Sequence, residues 1–435
     1  MLELPDGNDL GHSRPLPLDR VANGDNLKAA LEALLVHLKE TEGPRKRQRR
    51  SDDEARLVAI LDAIVCDLFA NHRSDPKRFL AYSRNRSDYT QQSRYMNSLT
   101  SLTSVVAAAD FLISQGYAQG ARGFYSRKAN PFGGPAVTSG MRSRIRATEK
   151  LIQFLEGDHG ASTMDIGYRS GFEAIRLKDN DKKLEEYDDT EATSGMRSFL
   201  AHYNETIARC DIQFDNEESL LSSDGTKPDF SAKHLYRVFN NGRFDQGGRF
   251  YGGWWQRINQ ERRSHIIIDG EETVEIDYSA MHCRMCYDLS GKPLSQDVDP
   301  YLIPGFEQLR DAVKFAFLVL FNLSPGQRAR ASDKVKAMIK NKSSFRDLLL
   351  AVERHHQPIK QWFRSSRGTE LQCIDSKVAS SVMGFCVGHN IPCLSIHDSF
   401  IVPSSARKQL EHAMRHAYAA HVRTPTNQPC YPVLK

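Results

Sequence analysis

At 435 residues with a formal charge of +5, the chain is long enough for two or three cored domains and only mildly basic, so an anionic partner is allowed without being demanded. Its eight cysteines are scattered without a secreted disulfide framework, no apolar run reaches the roughly 18 residues of a membrane span, and the start MLELPDGNDLGH is unlike a signal peptide. A disulfide scaffold and a membrane protein are thereby excluded, and the expectation is a reduced, soluble, cytoplasmic protein.

In chain order, Leu27, Leu31, Leu34, Leu35 and Leu38 recur at helical spacing over 25–41, and Gly43-Pro44 should stop that helix. The run PRKRQRR (44–50) reads as a solvated linker, although blocks of like charge also serve as nucleic-acid arms. Ser51-Asp-Asp-Glu54 reads as a capping box that opens a helix through about residue 71. Over 100–114, Leu102, Val105, Val106, Ala109, Leu112 and Ile113 share one helical face, ended by Gly116.

A hairpin-like segment follows, carrying Arg122, Arg127, Lys128, Arg142, Arg144 and Arg146, and then a helix from Glu149. Helix, turn, helix and basic hairpin in that order resemble a winged helix-turn-helix over roughly 55–155. That likeness implies DNA phosphate contacts from Arg142, Arg144 and Arg146. A small α+β domain with an ordinary charged surface is the alternative.

FEAIRLK (172–178) alternates like a strand, and Thr190 to about Ile207 reads as a helix. The polar, turn-rich stretch 215–229 suggests a domain boundary near 215–230. The division expected is 1–54 as helix and basic linker, 55–155 as the winged-helix-like region, 156–230 as a connecting, thumb-like region, and 231–435 as the last domain.

HIIIDGEETVEID (265–277) reads as two strands joined at Asp269-Gly270, the second ending in Asp277. Far downstream, SIHDSFIVP (395–403) places Asp398 inside a strand-like apolar run. A carboxylate there costs several kcal/mol unless something compensates it. Two such aspartates on neighbouring strands would share a pair of divalent cations, a device for phosphoryl transfer. Between them, LRDAVKFAFLVLFN (309–322) reads as a helix whose Arg310 and Lys314, one turn apart, could grip a triphosphate. Cys283-x2-Cys286 could be half a zinc site, but no second pair lies nearby, and core packing is the better reading.

Taken in order, Asp277-Tyr278-Ser279, Arg310-x3-Lys314 and His397-Asp398-Ser399 resemble motifs A, B and C of the family A DNA polymerases and the single-subunit phage and mitochondrial RNA polymerases. The likeness covers roughly 240–422. It implies an α+β fold: a right-hand polymerase palm of antiparallel sheet and helices, with reduced fingers at about 295–375, behind the mostly helical, winged-helix-like N-terminal region. It also implies two Mg²⁺ ions, with Mn²⁺ as an alternative, on Asp277, Asp398 and the Tyr278 carbonyl. Arg310 and Lys314 would hold the nucleotide phosphates, Lys314 also being placed to protonate pyrophosphate. GGRFYGGWW (247–255) resembles the Gly-Arg stretch before motif A and gives Arg249 a primer or template contact, or else it is a Gly-rich loop packing Trp254 and Trp255 into a core. Gln372 resembles the minor-groove glutamine before motif C. Pro403-Ser-Ser405 should cap a helix through about Val422.

Three departures bear on substrate. Five positions after the motif A aspartate, His282 stands where the DNA polymerases have a sugar-excluding Glu and the RNA polymerases have Gly. The Ser after Asp398 is instead the RNA polymerase form. Where motif B has Tyr, this chain has Asn322 behind Phe321, which are the candidates for base and sugar contact. The expected function is template-directed nucleotidyl transfer on a DNA primer-template with nucleoside triphosphates, a compact DNA polymerase or primase-polymerase. A small single-subunit RNA polymerase or primase and a non-catalytic DNA-binding replication initiator are the alternatives.

Overall fold

The computed structural model describes residues 13–42, 48–90, 93–128, 137–215, 221–222, 225–339 and 344–435. Its fold is mixed α+β, and the chain divides into two compact units: Met1–Glu173 with Glu218–His234 and Arg257–Asn259, and Ala174–Glu217 with Leu235–Gln256 and Gln260–Lys435. No helix among the described residues is long and apolar enough to cross a membrane.

The first unit contains β1 (Arg14–Pro15), β2 (Arg20–Ala22), α1 (Asp25–Thr41), α2 (Ser51–Ser74), β3 (Leu80–Tyr82), α3 (Leu102–Ser114), β4 (Ala118–Ala121), β5 (Phe124–Lys128), β6 (Val137–Met141), β7 (Ser143–Ala147), α4 (Glu149–Ile152) and β8 (Ile166–Tyr168). Its sheet runs β1-β3-β7-β4, and the leucines of α1, the apolar face of α2 and Val105, Ala109 and Leu112 of α3 form one core. Ser51 lies inside α2 and caps nothing, since Arg50 holds the N-cap position without a side-chain bond. Helix initiation there rests on the acids Asp52, Asp53 and Glu54 facing the helix dipole. α2 runs on to Ser74, three residues past the expected end. Gly43 and Pro44 lie outside the described residues.

β5 and β6 pair as a two-stranded antiparallel hairpin. Arg144 and Arg146, expected on that hairpin, instead belong to β7 inside the four-stranded sheet. Arg144, 9% exposed, donates to Ser13 Oγ and the Arg142 carbonyl. Arg146 donates to Gln119 and the Lys77 carbonyl and lies over the Phe79 ring. Only Arg142 of the three stays exposed, 3.3 Å from Asp88. The side chains of Arg127 and Lys128 lie outside the described residues.

The second unit contains β9 (Ile175–Leu177), α5 (Glu191–Arg209), β10 (Ile212–Phe214), β11 (Tyr236–Asn240), β12 (Arg243–Tyr251), β13 (Ile266–Ile268), β14 (Glu271–Asp277), α6 (Met281–Leu289), α7 (Arg310–Asn322), α8 (Asp333–Ile339), α9 (Phe345–His355), α10 (Gly368–Gly388), β15 (Leu394–Ile396), β16 (Ser399–Pro403) and α11 (Arg407–His421). One sheet is five-stranded, β10-β13-β14-β16-β15, and a second runs β12-β11-β9. Asp269 and Gly270 turn β13 into β14 with φ of 51° and 79°, the left-handed pair that a two-residue hairpin needs. Asn241-Gly242 does the same between β11 and β12, an Asn-Gly signal in plain view in the sequence.

α10 packs on β12 and α11, and Trp254, Trp255, Tyr203, Tyr278, Tyr418 and Phe400 are the large, fully buried side chains around them. Cys283 and Cys286 are buried free thiols in α6, as core packing requires. The serines after Pro403 do not cap α11: Ala406 is its N-cap, and Ser405 is bonded to Glu271.

Candidate active site

β14 and β16 are antiparallel neighbours with Asp277 opposite Ser399, so Asp398, one residue earlier, falls beside the end of β14. The backbone closes the junction: the Tyr278 amide donates to the Asp398 carbonyl at 3.2 Å, and Asp277 exchanges two backbone bonds with Lys435. Tyr278's ring is core, its hydroxyl bonded to the Met414 carbonyl. Two non-glycine residues with left-handed backbone flank the aspartates, Ala280 (φ 51°) and His397 (φ 60°). Each conformation costs about 1–3 kcal/mol and aims its neighbours where an ordinary turn would not.

Burial first, and then the charge of Asp398, push the Asp277 carboxyl up to about 7, while Lys314 pulls it the other way. A half-buried carboxyl pushed up beside a second carboxylate marks a site short of positive charge. Among the described residues no group of three or more His, Cys, Asp or Glu side chains converges to hold a metal. Two carboxylates and a backbone carbonyl are nonetheless a fitting donor set for Mg²⁺, which keeps several of its waters.

α7 brings the cations. Lys314 is exposed and close enough to stabilise the Asp277 carboxylate. Arg310, one turn earlier, donates to Asp299 at 2.7 Å and lies over the Tyr301 ring. Phe321 is 3% exposed and packed on Phe317 and Phe363, which removes it from base stacking. Asn322 is exposed, and its amide donates to the Leu318 carbonyl. Gln372 is half-buried on α10.

The residue that the sequence did not flag is Asp375. It is 1% exposed on α10 and accepts from His282 Nε2 at 2.6 Å and from Arg249 Nε at 3.1 Å, with a further Arg249 bond at 2.5 Å. Burial alone would raise this carboxyl, but the His282 hydrogen bond and the Arg249 charge outweigh it and hold it below its ordinary value. Arg249 is thus paired with Asp375 in this structure. A signal existed: Asp375 shares its helix face with Leu371, Val378 and Val382, so an acid stood at a core position and required a partner. Trp254 and Trp255 are buried at 1% and 0% exposure, as in the alternative reading of GGRFYGGWW, but the GGRFY before them is strand β12 and not a loop.

No family model and no curated protein matches this chain. Among solved structures, the POL domain of Pol1 from M. smegmatis, in complex with DNA primer-template and dNTP, is similar over 56% of this chain at 12% identity and a TM-score of 0.30. The match spans 50% of that chain, half its length. A likeness of that degree leaves function to be argued from the side chains.

Proposed function

We propose that the second unit carries a two-metal nucleotidyl-transfer site and that the protein is a template-directed nucleic-acid polymerase, a compact DNA polymerase or primase-polymerase. The observation that carries this reading is the meeting of Asp277 and Asp398 at the ends of adjacent strands, with Lys314 near enough to act on the Asp277 carboxyl. The order of the three motifs in the sequence supports it independently.

Asp277, Asp398 and the Tyr278 carbonyl would hold two Mg²⁺ ions, whose chemistry is to stabilise the attacking and leaving oxygens of an in-line displacement. Lys314 would supply an ammonium to the triphosphate and give a proton to the departing pyrophosphate. Arg310 adds a second cation from the same helix face once it exchanges Asp299 for phosphate. His282, oriented by Asp375, is the second residue of α6 and would stand beside the incoming sugar, where its bulk would favour deoxynucleotides. Gln372 and Arg142 are proposed nucleic-acid contacts.

Primer extension with either dNTPs or rNTPs tests the reading. The wild type should extend with Mg²⁺ and prefer dNTPs, and Asp398→Ala should lower the rate by at least about 10²-fold, the scale of losing one preorganised electrostatic contact. Extension with rNTPs alone would favour a small RNA polymerase or primase, and tight DNA binding without any extension would make the chain a non-catalytic initiator.

A further inference from the structure

We infer that the outer face of the β9-β11-β12 sheet is a stacking platform for the unpaired bases of a single-stranded nucleic acid. Period-two alternation sends Ile175, Leu177, Arg237, Phe239 and Phe250 inward, where they are buried. The opposite face carries Tyr236, Tyr251 and Arg176, together with Val238, which is buried, and Arg249, which is bonded to Asp375. Tyr236 and Tyr251 are direct cross-strand partners, with ring centroids 6.3 Å apart and planes 32° from parallel. The Arg176 guanidinium lies 3.7 Å over the Tyr236 ring. At the other end, Tyr251 meets the His397 ring edge-on at 5.4 Å, and His397 adjoins Asp398.

Tyr251 is 36% exposed, and Tyr236 is half-buried. Nothing in a sheet core requires a ladder of guanidinium, tyrosine, tyrosine and imidazole that ends beside two aspartates. Rings placed in sequence along a strand pair, with an arginine plane among them, are what successive bases stack on, because every base offers a π-face whatever its identity. A second observation points to a ligand: His397 Nδ1 is buried without a hydrogen-bond partner, so the end of the ladder holds an unsatisfied polar atom.

The occupant is a single strand, since a duplex hides its base faces within its own stack. The platform deepens the polymerase reading by supplying a place for the unpaired template, but its test does not depend on catalysis. A fluorescein-labelled oligothymidine of ~12 nucleotides, within the usual reach of one such surface, is titrated by anisotropy in EDTA at fixed salt, alongside a duplex of equal length. Tyr251→Ala and Tyr236→Ala should each weaken single-strand binding by roughly 5- to 150-fold, the stacking of one base. Tyr251→Phe and Tyr236→Phe should keep wild-type affinity, and duplex binding should not change.

The platform is overturned if the Ala variants bind the single strand as the wild type does, if the Phe variants lose as much as the Ala variants, or if duplex binding falls in parallel. Asp398→Ala, run beside them, separates the two readings. A wild type that extends no primer yet binds oligonucleotide in a tyrosine-dependent way ends the polymerase proposal and keeps the platform. A wild type that extends primers while the tyrosine variants bind normally does the reverse.

Discussion

Asp277 is the residue whose environment asks most of the fold. Burial and Asp398 raise its carboxyl to about 7, so in metal-free protein its ionised form is the disfavoured one. A carboxyl raised above its unfolded value contributes stability that is complete below the ordinary carboxylate pKa and is lost as pH rises through about 7. The urea midpoint of the wild type in EDTA should therefore fall between pH 5 and pH 8, and Asp277→Asn should remove that part of the fall and be the more stable protein at pH 8. Added Mg²⁺ should raise the wild-type midpoint and raise that of the Asp277→Asn variant less, because the variant keeps only one of the two carboxylates that would hold the ions. Equal pH slopes in the two proteins would sink the assignment. Asp277 and Asp398 were legible in the sequence because each ends or interrupts an apolar strand, where a lone charge is costly. Asp375 was hidden because a helix conceals its inward face until periodicity is laid out, and its partners come from β12 and α6, far away in the chain.

Among the elements, α6 and α9 are tied by a histidine. His356, which follows α9 and is 1% exposed, donates from Nε2 to the Pro300 carbonyl and accepts at Nδ1 from the Tyr287 hydroxyl of α6. Pro300 offers only an acceptor there, so the partners dictate the tautomer. Burial first, then neighbouring His355, push the imidazole down to about 4. The unfolded chain takes up the proton near pH 6.5 and the folded one does not, so stability present above pH 6.5 is lost as pH falls toward about 4. Urea midpoints from pH 7 to 4.5 should decline more steeply for the wild type than for His356→Leu, even though the variant starts lower. Parallel declines would remove His356 as a cause. The helices α1, α3, α5 and α7 and the β13–β14 turn could be read from periodicity, caps and Asp-Gly because those signals are local. The caps of α2 and α11 could not, since Ser51 and Ser405 have capping chemistry but lie elsewhere: one inside the helix, the other bonded to Glu271.

At the scale of the molecule, each unit is assembled from separated stretches of chain, and the first depends on a segment that the sequence alone assigns elsewhere. Asp229, from the Glu218–His234 stretch, pairs with the buried Arg20, which also lies 3.6 Å from Asp67, and Ser74 donates to the Lys227 carbonyl. Asp229→Asn leaves Arg20 without its principal counter-charge and should destabilise the first unit by about 3–5 kcal/mol, the usual penalty for breaking a buried pair. Limited proteolysis or a urea transition followed in that unit would register the loss, and an unchanged transition would show that Asp67 alone suffices. By itself the sequence determined the α+β class, most of the long helices, and the two strand-borne acids with a cationic helix between them. These follow from periodicity and from the cost of burying charge, and both can be read along a line. Only the tertiary structure decided that Asp277 and Asp398 adjoin, that Phe321 is core, that Arg249 answers to Asp375, and that two tyrosines stand side by side on one sheet face. Strand pairing and helix docking set these, because they join residues that the chain itself keeps far apart.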